Sequence, residues 1–145
     1  MRRLIYSSHW AEGVREDAHH VLQAIVGRSI QHNRQAEVTG FLISQNGVFL
    51  QALEGPDRAV AEIFGLIAGD KRHTDIQVLS DEDVPERQIR RWSMAGAACW
   101  DPSVAEDFDH AASLGFEGFP PEALLDMLHA AAATDIGRVP CTVAA

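Results

Sequence analysis

The chain is short of positive charge, and this shortage excludes a class of function. Its 145 residues include 12 Lys and Arg against 21 Asp and Glu, which gives a formal net charge of −9 and an isoelectric point near 5.1. A nucleic-acid surface needs clustered basic residues to neutralise phosphates. The basic runs at Arg2–Arg3 and Arg87–Arg91 are short and typical of a solvated surface. We therefore expect no nucleic-acid partner.

Cysteines and long apolar runs are also scarce. The chain has two cysteines, Cys99 and Cys141, which do not make a disulfide framework. No apolar run approaches the roughly 20 residues that a membrane span requires, and the N-terminus lacks the apolar core of a signal peptide. The histidines are scattered, without an HExxH motif or a cysteine pair. We therefore expect a cytoplasmic protein that binds neither membrane nor metal.

The most informative residue present is Gln51. Asn46-Gly47 is a two-residue hairpin motif, so a strand is predicted from Val48 to Leu53. Side chains alternate along a strand, which places Gln51 on the same face as Phe49 and Leu53. An amide between large apolar side chains is expected to be buried, and leaving it unpaired would cost roughly 1–3 kcal/mol. Gln51 is therefore predicted to have a hydrogen-bond partner, and the identity of that partner is the functional question.

The periodicity of the chain predicts one α+β domain followed by a helical tail. Strands are predicted at Leu4–Ser7, Val38–Ser44, Val48–Leu53, Ile76–Leu79 and Trp92 to about Cys99, with helices from about Arg15 to Arg34 and after Pro56. A polar loop is expected after Ser8 and a charged loop from Asp81 to Arg91. The order βαββαβ(β) is ferredoxin-like, a sheet with two helices on one face.

The sequence pattern changes after Trp100, where predicted strands give way to predicted helices. We therefore divide the chain into residues 1–100 and a C-terminal tail, 101–145. The tail is predicted to hold helices at Val104–Ser113 and Glu122–Ala133 and to fray from about Thr134. A sheet with helices on one side leaves its other face open. Two interpretations of the tail remain, a cap on that face or an interaction element.

Polar residues continue the apolar stripes of the predicted elements. They are Tyr6 on the first strand, Ser29 and Asn33 on the first helix, Gln51 on the third strand, and Asp70 after the second helix; Trp92 and Met94 share a face of the fifth strand. Each alone fits an ordinary structural role, such as a local backbone cap or core packing. Together they predict an apolar cleft with a few placed polar groups, which suits a planar heteroaromatic ligand.

The ordered set of these segments resembles the BLUF domain, a blue-light sensor that holds flavin non-covalently. The resemblance covers roughly residues 2–98 and rests on Leu4-Ile5-Tyr6-Ser7-Ser8, Ser29 with His32-Asn33, Val38-Thr39-Gly40-Phe41-Leu42, Phe49-Leu50-Gln51-Ala52-Leu53-Glu54-Gly55, Asp70-Lys71-Arg72-His73 and Trp92-Ser93-Met94. It implies a ferredoxin-like fold with flavin, usually FAD, between the two helices; FMN or riboflavin is the alternative cofactor.

The resemblance also implies a role for each matching position. Tyr6 matches the photoactive tyrosine that gives an electron and a proton, and Gln51 matches the switch glutamine whose hydrogen bonds rearrange. The implied flavin-binding set adds Ile25, Ser29, His32, Asn33, Ile67, Asp70, Arg72 and His73. Ser29, Trp92 and Met94 match the group that relays the change near Gln51 into the fifth strand.

The implied function is a photoreceptor that acts through an unidentified downstream protein, with no enzyme activity of its own and assembly into a dimer or larger oligomer. The alternative is a flavin-binding redox or metabolite sensor without a photocycle. An acylphosphatase-like hydrolase on the same fold is disfavoured, because the loop His9-Trp10-Ala11-Glu12-Gly13 lacks a phosphate-binding arginine.

Overall fold

The computed structural model describes residues 1–11, 37–89, 93–96, 102–134 and 142–144. The helix predicted from about Arg15 to Arg34 lies outside these ranges. The described strands are β1 (Arg2–Trp10), β2 (Thr39–Gln45), β3 (Val48–Gly55), β4 (His73–Asp83), β5 (Ser93–Gly96) and β6 (Thr142–Ala144), and the helices are α1 (Asp57–Ala68), α2 (Pro102–Ser113) and α3 (Pro121–Thr134).

The strands form one sheet in the order β4-β1-β3-β2-β5-β6. The pair β2–β5 is parallel, and the other neighbouring pairs are antiparallel. The four strands β4-β1-β3-β2 have the ferredoxin-like order, which confirms the predicted fold class. The strands that carry Tyr6 and Gln51, β1 and β3, lie side by side in the middle of this group.

The β2–β3 hairpin forms where Asn46-Gly47 predicts it. Both turn residues have positive φ, 48° for Asn46 and 81° for Gly47. A two-residue turn with two positive φ values suits the right-handed twist of the flanking strands, and Asn-Gly reaches it at low cost. Gln45 pairs with Val48 across the turn, so the turn sets the register of the strand that carries Gln51.

Helix α1 begins directly after Pro56, as its sequence predicts. Its buried positions are Val60 and Ile63, and Ile67 is half-buried on the same stripe. Gly69 ends the helix, and its N–H bonds to the Gly65 carbonyl at 3.2 Å. The apolar stripe of α1 packs on one face of the sheet.

The core has two parts, one on each sheet face. We call the face under α1 the front face; its buried side chains are Leu4, Tyr6, Leu42, Phe49 and Leu53, packed with Val38, Val60 and Ile63. The opposite, back face presents Ile5, Phe41, Ile43, Leu50 and Ala52, packed with Phe108, Ala111, Leu124, Leu125 and Leu128 of α2 and α3. The C-terminal helices therefore cover the back face. The division of the chain at residue 100 stays a prediction.

Three local expectations were wrong. The first strand continues through His9 to Trp10 instead of ending in a polar loop, because β1 pairs along its length with both β3 and β4. β4 runs for 11 residues to Asp83, since Asp81–Asp83 pair with the start of β1. An edge strand tolerates such charged side chains. Within the segment predicted to fray, Val143 pairs with Met94, so β6 extends the sheet beyond β5.

In the part of the chain that the structure describes, no helix is both long enough and apolar enough to cross a membrane.

Candidate functional site

The centre of the site is a buried pair of side chains on neighbouring strands. Tyr6 and Gln51 are direct partners in the β1–β3 ladder, and their exposed fractions are 1% and 0%. The Tyr6 hydroxyl donates a hydrogen bond to Gln51 Oε1. The predicted burial of Gln51 is therefore confirmed, and one of its hydrogen-bond partners is Tyr6.

The other end of the Gln51 amide is unsatisfied. Gln51 Nε2 is buried, and no group of the described residues accepts a hydrogen bond from it. A buried polar group without a partner costs about 1–3 kcal/mol, so native proteins rarely keep one without a functional reason. A heteroaromatic ring edge that presents acceptor atoms would accept this hydrogen bond. The amide therefore fits the acceptor edge of a flavin ring.

The Tyr6 phenol stays protonated in this environment. Burial raises the pKa of Tyr6 well above its usual value near 10, and the negative charge of Asp70 raises it further. A phenol must lose its proton if it is to give up an electron without becoming a buried cation. The hydrogen bond to Gln51 Oε1 gives that proton an acceptor.

Asp70 is held as a carboxylate by Arg72. Arg72 Nε donates to Asp70 Oδ1 at 2.8 Å, its backbone N–H donates to the same oxygen at 3.0 Å, and Nη2 donates to Oδ2. The side-chain hydrogen bond from Arg72 lowers the pKa of Asp70 despite partial burial. The same bond raises the pKa of Arg72. The pair places a fixed charge of each sign at the end of α1.

His73 bridges β1 and α1 beside the Tyr6 ring. Its Nε2 lies 2.6 Å from the Ile67 carbonyl, and its Nδ1 lies 2.8 Å from Ser8 Oγ. A carbonyl only accepts, so Nε2 carries the hydrogen; in a neutral ring Nδ1 then accepts from the Ser8 hydroxyl. The ring is buried and meets Tyr6 edge-on at 6.3 Å between centroids.

Aromatic rings line the front face beside Tyr6. Phe64 of α1 lies 5.4 Å from Tyr6 between ring centroids, and Phe49 lies 6.2 Å from both Trp10 and His73. These separations are typical of tilted and edge-to-face aromatic contacts. The front face therefore combines an apolar, aromatic wall with few polar atoms, which is the composition of a cofactor cleft.

The structure brings together only some of the residues predicted from sequence. Tyr6 meets Gln51, Asp70 meets Arg72, and His73 meets the carbonyl of Ile67. Met94 lies on β5, where its Cα pairs with Leu42. The remaining predicted site residues, Ile25, Ser29, His32, Asn33 and Trp92, lie outside the described residues.

Sequence reasoning missed two residues of this site, Ser8 and Phe64, and one buried residue on the opposite face of the sheet, Glu54. Ser8 is fully buried and bonds to His73; it lies two positions after Tyr6, so strand alternation was enough to place it on the front face. Phe64 lies on the apolar stripe of the helix predicted after Pro56, a position that by itself indicates only packing. Glu54 is fully buried on β3, and an acidic residue among apolar neighbours was the sequence feature that marks it.

Comparison with known proteins identifies the family of this chain. The family model for BLUF, described as sensors of blue-light using FAD, matches residues 1–95. The antirepressor BluF of Escherichia coli, described as blue light- and temperature-regulated, is 34% identical over 107 residues; these are 73% of this chain and 25% of that protein. The photoactivated adenylate cyclase subunit beta of Euglena gracilis is 36% identical over 77 residues, or 52% of this chain and 9% of that protein. The chain therefore spans a small part of these relatives.

Solved structures agree with this match. The photo-activated state of BlsA superposes with a TM-score of 0.72 and 26% identity, covering 90% of this chain and 93% of that one. The dark-state structure of BlrB, a BLUF protein, superposes with a TM-score of 0.66 over 92% of this chain and 96% of that one. Its identity is 24%, so this second likeness concerns the fold.

Proposed function

Because the chain belongs to the BLUF family, the sensors of blue-light using FAD, we propose that Tyr6 and Gln51 are its photoactive pair. One observation carries this proposal: Tyr6 donates to Gln51 Oε1, while Gln51 Nε2 is left buried without an acceptor among the described residues. The amide thus has one end with a hydrogen-bond partner and one end without a partner among the described residues. Such an arrangement needs a ligand with an acceptor edge.

In the proposed photochemistry, Tyr6 and Gln51 move the proton and change their hydrogen bonds. A bound flavin supplies absorption of blue light and, once excited, a strong demand for an electron. Tyr6 gives that electron, and its phenol proton leaves along the hydrogen bond to Gln51 Oε1. Gln51 then rotates or tautomerises, because its amide carries both a donor and an acceptor and fits either direction of hydrogen bonding. The electron and a proton then return to Tyr6, so the lit state differs from the dark state in the hydrogen bonding of the Gln51 amide and not in oxidation state.

The groups around the pair hold the cofactor. We assign binding of the flavin ring and the flavin side chain to Ile67, Asp70, Arg72 and His73. These residues lie at one end of α1 or directly after it. The family positions Ile25, Ser29, His32 and Asn33 complete the set. The Asp70–Arg72 pair supplies charges of both signs for polar parts of the cofactor, and His73 stays fixed by Ser8 and Ile67.

The sheet offers a direct route from the pair to β5. Tyr6 pairs with Gln51, Gln51 with Leu42, and Leu42 with Met94, so one row of residues crosses four strands. A change in the Gln51 amide therefore lies two strands from Met94. This row supports the role of Met94, with Ser29 and Trp92, in relaying the change, since a packed sheet passes on a switch of hydrogen bonds.

The output is proposed to be a protein contact. A BLUF domain is a sensor domain, and we assign no enzyme activity to this chain itself. The antirepressor BluF, similar over 73% of this chain, supports action on a downstream protein. We further propose a cytoplasmic protein that assembles into a dimer or larger oligomer, with the tail at residues 101–145 contributing to these contacts.

The test is the visible spectrum of the purified chain in the dark, directly after blue light, and during dark recovery. A flavin spectrum with a small, reversible red shift is expected, because an added hydrogen bond at the flavin carbonyl lowers the excitation energy. Bound flavin that only bleaches would replace the proposal with a redox function. A chain that stays colourless after reconstitution with FAD would overturn it.

A further inference from the structure

The back face of β3 carries a buried carboxylate, Glu54, that the photoactive site does not use. Its side chain has no exposed surface, and Arg3 Nε donates to its Oε2 at 2.8 Å. Its Oε1 accepts from two consecutive backbone N–H groups, Gln88 at 2.9 Å and Ile89 at 2.5 Å. Those two residues belong to the segment between β4 and β5. The carboxylate is therefore bound both by β1 and by the chain that enters β5.

The same segment is fastened to β2. Arg87 donates to the Glu54 carbonyl at 3.2 Å, to the Glu37 carbonyl at 3.0 Å and to Thr39 Oγ1. The Thr39 hydroxyl in turn donates to the Ile89 carbonyl at 2.5 Å. Arg3 and Thr39 are the two cross-strand partners of Glu54. One row across β1, β3 and β2 thus holds residues 87–89 in place.

Glu54 is separated from the cofactor side of the sheet. It lies three residues after Gln51, so strand alternation points the two side chains to opposite faces, about 10 Å apart along the strand. Burial of an ion pair is costly unless its remaining hydrogen-bonding capacity is satisfied, so a buried pair is weak evidence for a gain in stability. Here both carboxylate oxygens are satisfied, and their partners include the backbone of a connecting segment.

We propose that Glu54 is a positioning residue that ties the segment entering β5 to the strand of Gln51, so that rearrangement of Gln51 reaches β5 through two fixed rows of the sheet. The row through Gln51 ends at Met94 in β5, and the row through Glu54 holds Ile89 before it. With both rows intact, β5 moves with β3. This inference rests on the proposed function, because it concerns the path of the light signal.

The experiment compares amide hydrogen exchange at residues 93–96 in the dark and under blue light, in the full chain and in Glu54→Gln. The amide keeps one acceptor oxygen where the carboxylate has two, so its NH2 group must face a donor, either Arg3 Nε or the backbone N–H groups of residues 88 and 89. The tie between β1, β3 and this segment is therefore broken. We expect Glu54→Gln to keep the flavin red shift and to lose the lit-minus-dark exchange difference at residues 93–96.

The matched control is Glu82→Gln. Glu82 Oε1 lies 3.5 Å from Arg3 Nη1, and its side chain is 40% exposed, so this change removes a carboxylate from the same arginine without touching residues 87–89. The control should keep both the red shift and the exchange difference. A Glu54→Gln variant that also keeps both would overturn the proposal.

A second variant of Glu54 and the native chain itself give further tests. If Glu54→Gln does not fold, Glu54→Asp keeps the charge but shortens the side chain by one methylene, so the carboxylate no longer reaches both Arg3 and the backbone N–H groups of residues 88 and 89. An unchanged exchange difference in that variant overturns the proposal, and a reduced one supports it. A native chain with a red shift but no difference at residues 93–96 also overturns it, whereas a native chain without a red shift refutes the proposed function itself.

Discussion

Tyr6 and Gln51 share a buried hydrogen bond in which the phenol donates and the amide oxygen accepts. This direction fixes the amide, because Oε1 points toward Tyr6 and Nε2 points away from it. The unsatisfied Nε2 therefore marks where a cofactor atom must accept. In the proposed switch, the protein binds the oxygen end of the Gln51 amide and the cofactor binds its nitrogen end.

Removing the phenol hydroxyl is expected to stop the photocycle. Tyr6→Phe keeps the ring that packs against Phe64 but loses the hydroxyl that donates to Gln51 Oε1. The variant should bind flavin and show no light-induced red shift. Ser7→Ala is the control, because it removes a buried hydroxyl from the same strand on the opposite face of the sheet, where Ser7 pairs with Leu50; it should retain the shift. A normal photocycle in Tyr6→Phe would refute the assigned role.

Replacing the switch amide is expected to separate binding from signalling. Gln51→Leu keeps the volume of the side chain but leaves the Tyr6 hydroxyl buried without an acceptor, which costs about 1–3 kcal/mol in the free energy of unfolding. Flavin should still bind, and the lit-state shift should be absent. Gln77→Leu, at an exposed position of β4, should behave as the native chain. A normal shift in Gln51→Leu would contradict the switch.

The titration of Tyr6 can be followed directly, because it is the only tyrosine in the chain. Burial and the charge of Asp70 raise its pKa, so the folded protein should show no tyrosinate absorbance at about pH 10, where an exposed tyrosine is half ionised. The folded state binds the proton more tightly than the unfolded state. The stability that this contributes is present below about pH 10 and declines as the pH rises above that value. Half-ionisation of the folded chain near pH 10 would contradict the buried geometry.

Local patterns predicted the centre of the site and failed where distant segments decide the structure. Alternation and the Asn46-Gly47 turn were enough to predict that Gln51 is buried. They gave no information on Glu54, whose partners Arg3 and Ile89 are far away in the chain. The pairing of Val143 with Met94 was missed for the same reason, since neither segment carries a turn that joins them. The sequence predicted that a switch glutamine has a partner, but it did not predict the direction of the hydrogen bond.

The Asp70–Arg72 pair is expected to make stability depend on acid pH. The pKa of Asp70 is lowered in the folded protein, chiefly by the side-chain hydrogen bond from Arg72. A lowered folded pKa stabilises the protein above the unfolded value of about 4, and this contribution is lost as the pH falls through the folded value. The free energy of unfolding, measured with denaturant, should therefore fall less between pH 7 and pH 3 in Asp70→Asn than in the native chain. Asp107→Asn, at an exposed position of α2, should show the same fall as the native chain; equal profiles for Asp70→Asn and the native chain would contradict the pairing.

The C-terminal helices are expected to stabilise the sheet without touching the photoactive pair. Phe108 of α2 is fully buried, packs against the back face and lies 5.8 Å from Phe116 between ring centroids. Phe108→Ala should lower the free energy of unfolding by about 3–5 kcal/mol, whereas Leu114→Ala, at a position 48% exposed, should change it by about 0.5 kcal/mol or less. Per folded molecule, both variants should show the native flavin red shift, because Tyr6 and Gln51 lie on the front face. A small cost for Phe108→Ala would mean that residues 101–145 fold apart from the sheet, and a lost red shift would mean that the two faces are coupled through the core.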